Sequence, residues 1–240
     1  IKDEEYINSH YVIMCTKKGV VKKTSLEQYS RPRSNGINAI TVRDGDMLLE
    51  AKLTTGDSHV MLGLKSGKAI RFDESKTRPM GRNASGVRGI RLSNDDDEVI
   101  GMVAVNDMDS NILVVSEKGY GKRSSLDDYR ETNRGGKGVK TISVTDKTGG
   151  LVALKNVSDE DGLMIINKSG IAIRMKVADL RVMGRATQGV RLINLKGNDS
   201  IAAVAKVVND EDDEEIVSDD AVITDAQEDG TTVVNDDSEE

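Results

Sequence analysis

Short aliphatic runs recur along the chain, and each ends in a polar turn closed by glycine. The runs are HYVIMCTKKGVVKK from His10, HVMLGLKSGKAIRF from His59, NILVVSEKGYGKRS from Asn111 and GLMIINKSGIAIRM from Gly162. Four to six aliphatic or alternating residues bounded by K-x-G or K-S-G predict a β-hairpin rather than a helix. The turn glycines are Gly19, Gly67, Gly119 and Gly170, spaced 48, 52 and 51 residues apart. A positive φ is expected at each, because these turns need it and glycine adopts it without a Cβ clash.

A second column of glycines follows the first: Gly36, Gly86, Gly138 and Gly189. After it stand R-G-I-R-L, K-T-I-S-V and R-L-I-N-L, each read as a strand. The runs MLLEAKL, VIGMVAV, LVALKNV and IAAVAKV close the units. Between the columns lie polar segments such as TSLEQYS and SSLDDYR, long enough for a helical turn but too short for a stable helix. A period near 50 residues with about four short strands predicts an all-β, propeller-like array rather than a helical solenoid. The expected organisation is four units, at about 8–53, 57–105, 108–157 and 160–208, forming one domain over 1–208. An acidic tail over 209–240 is expected to be disordered.

Composition narrows the function. All 34 Lys and Arg fall in the first 206 residues, beside 26 of the 41 Asp and Glu, while the last 34 residues hold 15 acids and no base. A basic body with an acidic tail points to a polyanion as partner. The tail's charge would also suit it to compete for that basic surface. Cys15 stands alone, which excludes an internal disulfide and suits a reducing compartment. No apolar run approaches the roughly 18–20 residues of a membrane span. The start, I-K-D-E-E-Y, resembles no signal peptide and lacks an initiator Met, which reads as a piece of a longer protein. With one Phe and no Trp, the core must come from Val, Ile, Leu and Met.

The basic residues fall in register with the glycines. Lys23, Arg71, Arg123 and Arg174 stand four positions after the first glycine of their units. Arg82, Arg134 and Arg185 stand four before the second, with Arg33 one place off in the shorter first unit. Arg78, Arg130 and Arg181 stand eight before it, and Arg88, Lys140 and Arg191 two after. In a radially repeated fold, equivalent positions form arcs, and an arc of cations beside glycine-bared N–H groups suits a run of phosphates. The scarcity of aromatics disfavours single strands, which are gripped by base stacking. Duplex DNA is the expected ligand.

At Thr132–Gly138 the chain reads T-N-R-G-G-K-G. This resembles the glycine–arginine box Q-R-R-G-G-K-G of the C-terminal domain of the DNA gyrase A protein. Arg134, Gly135, Gly136, Lys137 and Gly138 match; Thr132 and Asn133 depart from it. G-Y-G-K-R-S, V-M-G-R-A-T-Q-G-V and the acidic tail are also similar to that family. The resemblance implies a β-pinwheel, a disc whose blades exchange strands and whose basic edge wraps DNA. It implies one or two further blades upstream and places the family's principal box in the first of them. It further implies the rest of the gyrase A protein, and the gyrase B protein, as partners in an A2B2 enzyme. Mg and ATP would be used outside this chain, in the bacterial cytoplasm and away from membranes. The equivalent domain of topoisomerase IV, or a protein-interaction propeller without a DNA role, are the alternatives.

No catalytic set is expected. His10 and His59 read as one structural repeat position before a strand. No Cys/His cluster has metal-ligand spacing. Gly63–Lys68, G-L-K-S-G-K, is one residue short of a P-loop and is followed by Ala69. Asp95, Asp96, Asp97 and Glu98 read as a solvated loop. The family's DNA-cleaving tyrosine lies in another part of the gyrase A protein, and none of the five tyrosines here matches its setting.

Overall fold

The computed structural model describes residues 3–208; the predicted acidic tail lies outside them. Each aliphatic run folds into the expected hairpin. Strand β1 (Tyr11–Thr16) turns through Gly19 into β2 (Val20–Ser25), and β3 (Leu48–Thr54) pairs with β1 on its other side. The second unit repeats this with β4 (His59–Leu64), β5 (Lys68–Asp73) and a two-residue β6 (Val87–Arg88), then β7 (Val99–Val105). The third has β8 (Asn111–Ser116), β9 (Tyr120–Ser125), β10 (Val139–Lys140) and β11 (Leu151–Val157). The fourth has β12 (Asp161–Asn167), β13 (Ala172–Lys176), β14 (Val190–Arg191) and β15 (Ile201–Val208).

The sheets do not coincide with the units. Their strand orders are β3-β1-β2-β6, β7-β4-β5-β10, β11-β8-β9-β14 and β15-β12-β13. Strands β6, β10 and β14 each leave their own unit and complete the edge of the preceding sheet, so neighbouring blades are stitched by backbone hydrogen bonds. These exchanged strands are V-R, V-K and V-R, not the R-G-I-R-L-type segments that the pattern predicts. Those segments run on as loop and bury Ile90, Ile142 and Ile193 between blades. The polar segments form 3-10 turns at Leu26–Tyr29, Glu74–Lys76, Leu126–Asp128 and Val177–Asp179. A six-residue helix α1 (Glu4–Ser9), capped by the Asp3 carboxylate on the Glu5 and Tyr6 N–H groups, precedes β1 and has no periodic signal in the sequence.

The middle sheets are covered on both faces, which is why their strands read as continuous aliphatic runs. On β4, Val60, Leu62 and Leu64 pack with Ile13, Cys15 and Val21 of the first sheet, while Met61 faces the third. On β8, Ile112 and Val114 face back, and Leu113 and Val115 face forward to Leu163 and Ile165. The two-residue alternation of a strand therefore builds two cores at once. Each aliphatic side chain buried in them contributes about 1.5–3 kcal/mol. Phe72 and Tyr129 join the expected aliphatics. Cys15 lies in the first core, where burial, and then Glu50 and Asp46, push its thiol pKa far up and keep it unreactive.

Candidate nucleic-acid interface

Successive interblade loops are bonded to one another in register. The N–H five residues after the second glycine donates to the carbonyl two residues before that glycine in the next unit: Thr41 to Ala84 at 3.4 Å, Arg91 to Gly136 at 2.8 Å, and Ser143 to Thr187 at 3.1 Å. A column of arginines runs beside this ladder. Arg82 Nη1 donates to the Asn38 carbonyl at 3.3 Å, Arg134 to that of Arg88 at 3.1 Å, and Arg185 to that of Lys140 at 2.8 Å. Each link thus sets Arg134 beside Arg88 and Arg185 beside Lys140.

These loops carry few acids. Residues 77–91 hold four arginines and no Asp or Glu; residues 180–196 hold three arginines, one lysine and no acid. Residues 129–142 hold Arg130, Arg134, Lys137 and Lys140 against Glu131 alone, whose carboxylate lies 3.8 Å from His59 Nδ1. Arg33, Arg88, Lys137, Lys140 and Arg191 are exposed; Arg82, Arg134 and Arg185 are half-exposed and partnered through backbone carbonyls. Arg191 also donates to the Tyr120 hydroxyl at 2.9 Å. Cations gathered in loops with so few acids are an arrangement that a polyanion can neutralise.

The box-like segment lies in the third of these loops. Gly135 (φ 79°) donates its N–H to the Gly89 carbonyl at 2.6 Å, and Arg134 Nε donates to the Lys76 carbonyl at 2.9 Å. Gly138 leads into the exchanged strand β10. A Cβ there would stand 2.6 Å from the Ala69 carbonyl oxygen, and its φ is +72°, so close approach and backbone conformation both demand glycine.

One predicted column is buried between blades in three of its four members. Lys23, Arg71 and Arg123 are buried, at 4, 6 and 6% exposure. Four residues past the hairpin glycine, the side chain points toward the next blade, and each of these cations clasps that blade. Lys23 pairs with the fully buried Glu74 at 2.9 Å. Arg71 donates to the Leu126 and Tyr129 carbonyls at 3.0 and 3.3 Å. Arg123 donates to the Leu180 carbonyl and pairs with Asp159. The backbone reinforces the clasp, with Met80, Thr132 and Met183 N–H groups bonded to the carbonyls of Lys23, Arg71 and Arg123. Arg174, the fourth member, is exposed on β13.

Glu74 also accepts from the Thr54 hydroxyl at 2.7 Å and the Ser58 N–H at 3.3 Å. Glu74→Ala would leave the Lys23 ammonium buried without its carboxylate. It is expected to cost about 3–5 kcal/mol in denaturant unfolding; a loss under about 1 kcal/mol would show that the clasp is incidental.

Two further expectations change. His59 is the first residue of β4, whereas His10 precedes β1, stacks on Tyr6 at 3.8 Å and bonds its carbonyl, so the two are one register position apart. Asp97 is no solvated acid: its carboxylate bridges Ser66, Ser93 and Glu98 N–H groups at 2.9–3.1 Å. Burial alone would raise its pKa, but the bonds from Ser93 and Ser66 outweigh it and hold the group below the usual carboxylate range. Asp46 and Asp199 tie the equivalent turns, through Lys18 and Met47 N–H groups and through Ser169 and Ser200. Sequence reading also missed Lys22 and Lys122, which are buried and bond carbonyls of the interblade loops. Among the described residues no His, Cys, Asp and Glu cluster has the geometry of a metal site, and no helix is long and apolar enough to cross a membrane.

The family model described as the DNA gyrase C-terminal domain, β-propeller, matches this chain four times in succession, over residues 10–55, 61–106, 110–158 and 163–208. The chain belongs to that family. It is 42% identical to the DNA gyrase A protein of Staphylococcus aureus (strain MRSA252), over 99% of this chain and 27% of that protein. It is 45% identical to the gyrase A protein of Chlamydia muridarum, over 87% of this chain and 25% of that protein. The chain thus spans about a quarter of the length of these relatives. Among solved structures, it superposes on the C-terminal domain of DNA topoisomerase IV with a TM-score of 0.80, over 87% of this chain and 64% of that one, at 25% identity. For the DNA gyrase A C-terminal domain the TM-score is 0.75, over 86% and 68%, again at 25% identity. Family, fold and strand exchange agree: the chain is a β-pinwheel of the gyrase A type, and the enzyme to which its relatives belong is a type II topoisomerase.

Proposed function

We propose that this gyrase-family domain binds duplex DNA along the interblade rim and wraps it without cutting it. The observation that carries this reading is the hydrogen-bond ladder that joins successive loops, each rich in cations and poor in acids. Bending a stiff duplex over a few tens of base pairs costs about 1–10 kcal/mol. Phosphate contacts spread along the track offset that cost, and the bend presents a second DNA segment to the rest of the enzyme. In the intact A2B2 enzyme, ATP hydrolysis on the gyrase B protein, with Mg, then drives strand passage toward negative supercoiling in the bacterial cytoplasm. This chain supplies the bend and no chemistry.

The apolar side chains left open at the outer blades support a longer disc. Leu48 of β3 is 40% exposed, whereas its counterparts Val99, Leu151 and Ile201 are buried against a neighbouring blade. We infer that at least one further blade covers it.

A titration of linear duplex at several salt concentrations tests the DNA reading. If the seven rim cations Arg82, Arg88, Arg134, Lys137, Lys140, Arg185 and Arg191 each neutralise one phosphate, log K should fall against log salt with a slope of about −6. A flat dependence, or no binding at low salt, would refute it. The topoisomerase IV reading is favoured by the topoisomerase IV superposition, and the gyrase reading by the identity to gyrase A proteins; a supercoiling assay on the full enzyme separates them.

A further inference from the structure

The four units are not equivalent: they alternate. Three residues after the hairpin glycine stand Lys22, Ile70, Lys122 and Ile173. Units 1 and 3 also share S-L-E-Q-Y and S-L-D-D-Y after the hairpin, while units 2 and 4 share R-P-M-G-R and R-V-M-G-R in the rim loop. The structure joins these two differences. Lys22 and Lys122 are 0 and 1% exposed. Their ammonium groups donate to carbonyls of the Met-Gly-Arg loop in the following unit, Lys22 to Arg82 and Lys122 to Gly184 at 2.5 Å. Lys22 also donates to the Ala39 carbonyl at 2.6 Å, which accepts from the Tyr29 hydroxyl too. The box-like loop of unit 3 has no lysine beneath it; Gly136 lies directly over the Ile70 side chain.

We infer that Lys22 and Lys122 are positioning residues for the loops bearing Arg82 and Arg185, so that the rim is built from two-unit modules. This rests on the rim being the DNA-binding face. Each lysine draws inward a carbonyl whose negative end would otherwise face a phosphate, and adds a formal charge under the loop. Packing alone would not select it, because a buried ammonium is costly where an apolar chain of similar volume fits. The isoleucines of units 2 and 4 occupy the same position. Burial, opposed by Asp128 and assisted by Arg185, lowers the Lys122 pKa to about 8, and burial followed by Arg82 lowers that of Lys22.

A lysine whose folded pKa lies below its unfolded value binds fewer protons in the folded state across the interval between them. Its burial therefore destabilises the fold below about pH 8, and the penalty is relieved as pH rises toward 10.5.

The test is Lys122→Met, with Lys22→Met in parallel, in the full 240-residue chain. The thermal midpoint at pH 7 should be unchanged or raised. Affinity for a linear duplex should fall about tenfold, as expected when a charge-assisted hydrogen bond that holds a binding loop is removed. Amides of 183–187 should exchange about tenfold faster in Lys122→Met, while those of 133–137 are unchanged. Between pH 8 and 10 the unsubstituted chain should gain stability relative to that variant. The inference is overturned if affinity and loop exchange are unchanged, if protection is lost throughout the domain, or if the variants fail to fold, since the lysines would then be holding the core. If the loop responds but the unsubstituted chain binds no duplex, the DNA reading fails and the positioning role stands.

Discussion

Replacing Arg82, Arg134 and Arg185 together by glutamate is expected to lower duplex affinity at least a hundredfold at about 0.1 M salt, a loss of about 3 kcal/mol. The three guanidinium groups occupy the same position on successive links of the loop ladder, so reversal inverts the charge at every link of the proposed track. The salt slope should become shallower by about 3 as three phosphate contacts are lost. The fold should survive. Each arginine bonds carbonyls at the surface, which water can solvate instead, and such surface changes cost within about 0.5 kcal/mol each. On the proposed function, the same substitutions in the intact enzyme should abolish supercoiling and leave relaxation. Arg71 and Arg123 supply the contrast. Their glutamate variants should unfold the domain, because like Lys23 they are buried clasps between blades. Unchanged affinity in the triple variant would place the DNA track elsewhere.

The two kinds of cation show what the sequence discloses and what it withholds. The hairpins, the unit length and the interblade loops are legible because they depend on local chemistry: aliphatic alternation, a glycine turn and a fixed repeat. The direction of a side chain depends on what lies opposite it. Arg71 and Arg82 look alike in a repeat alignment, but Arg71 projects from β5 against the Leu126–Asp128 turn of the next blade, while Arg82 sits on a loop above the sheet edge. Strand exchange is hidden for the same reason. V-R and V-K are too short for a periodic signal, and their partners lie in another unit. The apolar residues after them, Ile90, Ile142 and Ile193, carry the stronger strand signal and belong to the interblade core. The paired lysines Lys22–Lys23 and the Lys122–Arg123 dipeptide are a usable clue: adjacent residues of a strand face opposite sides, so two adjacent cations there cannot both be surface charges of one face.

The glycines that open the exchanged strands give the largest stability contrast. Gly138→Ala would set a Cβ 2.6 Å from the Ala69 carbonyl oxygen and 2.9 Å from its carbon, at a φ of +72°. Gly189→Ala would meet the Gly121 oxygen at 2.5 Å with φ +82°. Both contacts are with backbone, so relief requires β10 or β14 to leave the preceding sheet. The expected cost is about 3–5 kcal/mol in denaturant unfolding, the sum of a strained left-handed alanine and the lost exchange. Gly36 isolates the first of these. Its φ is +81°, and a Cβ there meets nothing within 4 Å. Gly36→Ala should therefore cost only about 1–2 kcal/mol. Gly138→Ala should also weaken duplex binding, since the box-like loop takes its register from β10. Equal costs at Gly36 and Gly138 would mean that the turn conformation alone fixes these glycines, and that the blades are held by their apolar faces and cationic clasps without help from the exchanged strands.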